Sequence, residues 1–206
     1  MTRHATIDVG TNTVLLLVAE ERVLRLRPAG PAYAQDERIW VPVVERAEIT
    51  RLGRGVDRTG ALDAAAVAET VAVLARFADE ARRLGARDIA CVATSAARDA
   101  RNGADFFEAA RARAGLTAEV ISGDEEARLV WASAWRDFGA AGPGGLAVLD
   151  PGGGSTELCC GDGPAPRARR SFQVGAVRLT ERVAPPDPPG VDGLAALRAA
   201  AAAALA

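Results

Sequence analysis

Two short stretches of the chain carry residue types that could act on an anion. The first is Ile7-Asp8-Val9-Gly10-Thr11-Asn12-Thr13-Val14, and the second is Leu149-Asp150-Pro151-Gly152-Gly153-Gly154-Ser155-Thr156-Glu157-Leu158. Each reads as apolar strand, acidic residue, glycine turn with hydroxyls, and apolar strand. Consecutive glycines remove the Cβ atoms that would hold a ligand away, so backbone N–H groups can converge on a phosphate-like anion. Asp150 and Glu157 stand at the two ends of the second turn, where their hard oxygens could hold a magnesium ion beside the bound anion. One copy near the start and one far downstream predict two similar halves facing each other across a cleft.

Other candidates follow from the elements that must position them. The run Asp88 to Ala93 predicts a buried strand after a helix whose apolar positions are Val67, Val71, Leu74, Phe77, Ala78 and Ala81, stopped by Gly85. Thr94-Ser95-Ala96-Ala97-Arg98 follows that strand, and α/β folds bind ligands just beyond strand carboxyl ends. Arg98 there could clamp a phosphate with two parallel bonds. A second helix through Phe106, Phe107, Ala110 and Ala114 ends at Gly115, and a strand follows at Ala118 to Ile121. Ser122-Gly123-Asp124-Glu125 has capping-box spacing, with the Ser122 hydroxyl accepting from the N3 amide and Glu125 reaching back. That accounts for Glu125 and leaves Glu126 without such a task, beyond the ordinary preference for acids in a first helical turn.

The remaining chain reads as connections and packing. Two adjacent strands are expected over residues 5 to 27, a break at Pro28 to Pro31, and another strand over Ile39 to Ile49 that Pro42 places at an edge or a bulge. Thr50-Arg51-Leu52-Gly53-Arg54-Gly55 is a basic turn. Leu129, Trp131 and Trp135 are expected to face a core, Gly139 to Gly145 is a glycine-rich link, and Leu194 to Ala206 is helical by propensity with a bland apolar surface that must pack against something.

The 206 residues are 49% apolar and 25% charged, a globular composition. A net charge of −2 gives no reason to expect nucleic-acid binding. All 25 basic residues are Arg, a bias best read as genome composition. Apolar runs are of strand length and Asp8 interrupts the first, so neither a membrane segment nor a leader is expected, and the protein is read as cytoplasmic. Cys91, Cys159 and Cys160 lack metal-site spacing and are expected as small buried apolar groups. The single His4 is read as preceding the first strand, so no nucleophile activated by histidine is expected.

The two turns, with Thr50-Arg51-Leu52-Gly53 and Thr59-Gly60, Ala93-Thr94-Ser95-Ala96-Ala97-Arg98-Asp99, and Ile121-Ser122-Gly123-Asp124-Glu125-Glu126-Ala127-Arg128-Leu129, run in one order from about residue 5 to residue 190. They resemble the phosphate loops of the actin/Hsp70/sugar-kinase superfamily and, within it, the exopolyphosphatase/guanosine pentaphosphate phosphatase (Ppx/GppA) family. The resemblance implies an α/β, ribonuclease H-like (actin-like ATPase) fold of two similar domains around a cleft, residues 1–123 forming the first and 124–206 the first part of an incomplete second. It implies hydrolysis of a phosphoanhydride, releasing terminal phosphate from inorganic polyphosphate or from guanosine pentaphosphate. Glu126 would be the general base with Glu125 as support, and Arg98 a phosphate clamp. Gly10, Thr11, Asn12, Thr13, Gly152, Gly153, Gly154, Ser155 and Thr156 would hold phosphate. Asp150 and Glu157, with Asp8 from the facing domain, would hold Mg2+ or another divalent cation. Polyphosphate or guanosine penta- or tetraphosphate are the implied partners, and a homodimer is plausible on the same ground. Alternatives are a non-catalytic sensor of such polyanions and an ATPase or phosphotransferase of the superfamily. Pro151 stands where the family carries an aliphatic residue, and removes one N–H from the second hairpin.

Overall fold

The computed structural model describes residues 2–26, 35–139 and 144–206; the break expected at Pro28 to Pro31 and most of the Gly139 to Gly145 link lie outside them. The first unit opens with strands β1 (Arg3–Val9), β2 (Thr13–Leu26) and β3 (Gln35–Ile49), an antiparallel meander. Pro42 sits where the β2–β3 register slips, on an edge strand, as its missing N–H requires. His4 lies inside β1 rather than before it. It pairs with Asp88 at 3.3 Å and meets the Trp40 ring edge-on, at the opposite end of the strand from the Gly10 turn.

After the short helix α1 (Val56–Thr59), helix α2 (Ala64–Arg83) starts at Asp63, whose side chain accepts from the Ala66 amide, and stops before Gly85, in the left-handed region at φ 75°. Strand β4 (Ala86–Ala93) returns parallel to β1; α3 (Ser95–Asp99), α4 (Gly103–Ala114) and β5 (Ala118–Val120) follow. The sheet order β3-β2-β1-β4-β5, a meander joined to parallel crossover strands, is the ribonuclease H-like, actin-like arrangement. Strand alternation then settles which side chains meet the helices. Ala5, Ile7, Val9, Val14, Leu16 and Val18 are buried with Leu74, Phe77 and Phe106, while Thr6, Asp8, Leu15 and Leu17 take the other face.

Helix α5 (Gly123–Phe138) begins at Ser122 and packs on a second sheet, β6 (Leu146–Pro151), β7 (Thr156–Gly161) and β8 (Ala168–Phe172), another antiparallel meander. Trp131 is fully buried there against Ala127 and Cys159, with Trp135 stacked on it, but Leu129 points outward. Cys160 is exposed, because adjacent strand residues face opposite sides and Cys159 takes the inner one. Helices α6 (Ala176–Val183) and α7 (Gly190–Leu205) pack on each other, and no α7 residue is buried. Among the described residues no helix is long and apolar enough to cross a membrane.

Candidate active site

The two glycine turns close with the same bond. The Gly10 amide donates to the Thr13 carbonyl at 3.0 Å, and the Gly152 amide to the Ser155 carbonyl at 2.9 Å. In the second turn the remaining carbonyls are also taken. Ala176 N–H donates to Gly152, Val177 and Arg178 N–H donate to Gly153, and Arg178 Nε donates to Gly154 at 2.7 Å. A planar trans peptide points its N–H opposite to its carbonyl, so the amides of Gly153, Gly154 and Ser155 turn away from α6. Successive amides aimed one way form an anion nest. The first turn is held similarly, with the Gly53 amide on the Thr11 carbonyl and the Thr50 and Arg51 amides on Asn12.

The glycines of the second turn serve protein packing first. A Cβ on Gly154 would lie 2.2 Å from Ser95 Oγ and 2.7 Å from Thr11 Oγ1, and one on Gly153 would press on Thr11. The missing side chains therefore let the two turns touch. Thr11 is buried and shares a hydrogen bond with Ser95 at 2.8 Å. Thr156 is likewise committed, donating to the Val174 carbonyl at 2.6 Å. Asn12, Thr13, Gly152 and Gly153, with Arg51 and Arg54, line a cleft of about 640 Å³ between the turns and α6.

Four carboxylates meet near these turns. Glu157 is 2% exposed and accepts from Ser171 Oγ at 2.7 Å; burial raises its pKa, with the Asp150 charge adding to the rise. Asp150 lies directly across the strand pair from Glu157 and is exposed. Two like charges so opposed are unfavourable unless a cation lies between or near them. Asp8 has a buried Oδ1 with no hydrogen-bond partner, and burial followed by the Asp150 charge raises its pKa. Glu126, held by the first turn of α5, is pushed up to about 7 by burial and then by Glu157, against the pull of Arg98. Arg98 donates through Nη1 to the Ile121 carbonyl at 2.9 Å and to Glu126 at 3.3 Å, while its Nη2 is buried without a partner. Ser122 caps α5 as its spacing predicts, but Glu125 does not reach back. It is half-buried and accepts both arms of the Arg128 fork, so it lends Glu126 no direct contact.

A buried acceptor on Asp8 and a buried donor on Arg98, both unpaired, belong to two residues whose charges act on Glu126, a carboxyl pushed up to about 7. Unpaired buried polar atoms cost folding free energy and so mark places where a ligand completes the set. The sequence model of the Ppx/GppA phosphatase family matches residues 33–206. The chain belongs to that family. It is 38% identical over 203 residues to exopolyphosphatase 2 of Mycobacterium tuberculosis, covering 96% of this chain and 60% of that protein. A solved exopolyphosphatase-like protein superposes with a TM-score of 0.81 at 30% identity, over 99% of this chain and 60% of the other. The Aquifex aeolicus Ppx/GppA enzyme gives 0.70 at 30% identity, over 95% and 60%. The chain thus spans about 60% of the length of these relatives.

Membership of the Ppx/GppA family sharpens the question of a cation. Among the described residues no three His, Cys, Asp or Glu side chains converge as a ready metal cage, so Asp8, Asp150 and Glu157 are near one another without enclosing an ion. Magnesium is commonly held by one or two carboxylates and keeps several waters. The orphaned Asp8 Oδ1 and the opposed Asp150 and Glu157 fit such a hydrated ion.

Several participants had no signal in local sequence. Arg178 reaches the Gly154 carbonyl and Ser171 reaches Glu157, while Asp57 holds Arg178 and Glu181 takes the Gly55 amide, pairings that only the fold brings together.

Proposed function

We propose that this chain carries the hydrolytic centre of an exopolyphosphatase, releasing terminal phosphate from inorganic polyphosphate, with guanosine pentaphosphate as the second candidate substrate. Residues 1–123 and 124–206 would contribute the two walls of the cleft. The single observation that carries the reading is Glu126 bonded to Arg98, whose Nη2 is unpaired, and raised in pKa in part by the charge of Asp8, whose Oδ1 is unpaired. An anion's oxygen completes the first and a cation the second, which is the composition of a magnesium-bound phosphoanhydride.

A divalent cation held by Asp150, Glu157 and Asp8 would neutralise charge on the phosphoanhydride oxygens. The chain's own residues do the rest. The amides of Gly153, Gly154 and Ser155, and the Arg98 fork, grip the terminal phosphoryl group and fix its orientation. Glu126, ionised, accepts a proton from the attacking water. The water oxygen forms the new bond to phosphorus, the bridging P–O bond breaks, and its electron pair leaves on the shortened chain. A carboxyl of pKa near 7 suits this step, since it is both ionised and basic at neutral pH.

The test is phosphate release from long-chain polyphosphate, guanosine pentaphosphate and ATP with magnesium, by this chain and by Glu126→Gln. Release from polyphosphate that drops by about 10²–10⁴-fold in the variant, with polyphosphate binding kept, is the expected result. Polyphosphate bound without release from the unaltered chain would overturn the hydrolase reading in favour of a polyanion sensor.

A further inference from the structure

Arg178 reaches three acceptors that belong to three parts of the fold. Its Nε donates to the Gly154 carbonyl at 2.7 Å, Nη1 to Asp57 at 2.6 Å and Nη2 to Asp99. Asp57 lies in α1 and Asp99 ends α3, both in the first unit, whereas Gly154 is in the second. The Arg178 side chain is only 12% exposed, so these bonds are shielded from water. A guanidinium is a rigid planar fork, and fixing two of its arms fixes the direction of the third.

Other contacts join α6 to α1 without touching the nest. Arg182 also grips Asp57, at 2.6 and 2.8 Å, and Glu181 accepts from the Gly55 amide at 2.9 and 3.1 Å. Gly175 lets the start of α6 press on the turn, since a Cβ there would lie 2.5 Å from the Gly153 backbone. Adhesion between the units therefore does not depend on Arg178 alone. What Arg178 does alone is take the Gly154 carbonyl, whose peptide carries the Ser155 amide. Asp99 is also 4.0 Å from Arg98 Nε, so one carboxylate touches both the arginine behind the nest and the arginine beside Glu126.

We propose that Arg178 is a positioning residue: it orients the Ser155 amide of the anion nest through the Gly154 carbonyl, and does so only when Asp57 and Asp99 are docked against it. The nest is thus set for phosphate when the two units are closed on each other. This deepens, and rests on, the phosphate-binding reading above.

The experiment follows backbone amide resonances of the labelled chain during titration with inorganic tripolyphosphate and magnesium. In the unaltered chain the Gly153, Gly154 and Ser155 amides are expected to shift on binding. Arg178→Lys keeps the charge but not the fork, so its Ser155 amide should be displaced before any ligand is added and tripolyphosphate should bind about tenfold more weakly, the effect of one misaligned charge-assisted bond. Arg182→Gln should lower the melting temperature and leave the affinity unchanged. Asp99→Asn, which loosens one arm, should move the same amide by less. Arg178→Lys binding as tightly as the unaltered chain, with its Ser155 amide in place, would overturn the positioning role and leave the nest standing. Equal weakening in Arg178→Lys and Arg182→Gln would reduce Arg178 to simple adhesion and overturn it too. No binding by the unaltered chain would overturn both the nest and the role.

Discussion

The β1–β2 hairpin and the β6–β7 hairpin share an aspartate, a turn and a closing hydrogen bond, yet their duties differ. In the first, Asp8 sits in the middle strand of a five-stranded sheet and keeps one oxygen buried and unpaired. In the second, Asp150 is exposed, and the partner strand supplies Glu157 where the first hairpin has Leu15. The first hairpin pins its carbonyls on the basic turn at residues 50–53, while the second pins them on α6 and Arg178. Repeating one backbone device therefore did not repeat one set of contacts: the first copy adds a desolvated carboxylate and a buried hydroxyl anchor, and the second adds a paired Glu157 and the Arg178 bond.

The sharpest way to break this division is to neutralise the two aspartates separately. Asp8→Asn is expected to lower magnesium-dependent phosphate release by about a hundredfold or more, as loss of a ligand for a charge-neutralising cation would. It should also raise the melting temperature of the metal-free protein. The sign follows from linkage: Asp8 has a pKa raised on folding, so its ionised form opposes folding at neutral pH, and the neutral amide removes that penalty. Asp150→Asn, at an exposed position, should weaken magnesium binding, so that more magnesium is needed for release, but leave the metal-free melting temperature nearly unchanged. Equal shifts of melting temperature in the two variants, measured by calorimetry with chelator present, would erase the distinction.

A smaller effect tests whether Glu126 belongs to both units. Burial first, then Glu157 from the second hairpin and least of all Asp8 from the first, raise its pKa from 4.5 to about 7 against the pull of Arg98. The stability linked to its proton is full below pH 4.5 and is lost as pH rises through about 7. Activity should run the other way, falling about tenfold per pH unit below the folded pKa, because only the ionised base can accept a proton. A pH–rate profile flat below neutrality would contradict the role. Glu157→Gln should move the inflection down, since it removes a neighbouring charge.

The chain's residues made much of this visible in advance. Both hairpins, the Asp63-to-Gly85 helix and the Ser122 start of α5 carry their own turn and cap chemistry, and they form as that chemistry dictates. Arg98 was legible as a candidate because it follows a strand at a place where α/β folds bind ligands, and Glu126 through the resemblance of its segment, Ser122 to Leu129, to the Ppx/GppA family. What stayed hidden depends on contacts between distant residues. Arg178 and Asp57 are 121 positions apart and each looks like ordinary surface decoration. Thr156 looked like a ligand donor because hydroxyls in glycine turns often are, yet its hydroxyl donates to the Val174 carbonyl. Burial of Glu157 beside an exposed Asp150 could not be read from strand alternation, which only places the two opposite each other.

The mildest substitutions probe the two turns themselves. Gly10 and Gly152 are equivalent by position, and a Cβ on either would lie 3.0 Å from the carbonyl that closes its own turn, Thr13 or Ser155. Alanine at each should therefore cost a similar and small amount, since a few tenths of an ångström of relaxation relieves the contact. Gly154 has no counterpart in the first turn, because Asn12 stands there. Its added Cβ would drive into Ser95 Oγ and Thr11 Oγ1, both buried and bonded to each other, so neither can swing away without losing its partner. Overpacking of that kind costs about 1–3 kcal/mol, which would lower the melting temperature by several degrees in a domain of this size. Serine at residue 95 is also part of the clash, so Ser95→Ala combined with Gly154→Ala should recover part of the loss, by relieving the nearest contact. If Gly154→Ala melts with Gly10→Ala and Gly152→Ala, the turns do not touch at Thr11. If it melts lower and the Ser95 variant restores it, the third glycine is there to join the two hairpins.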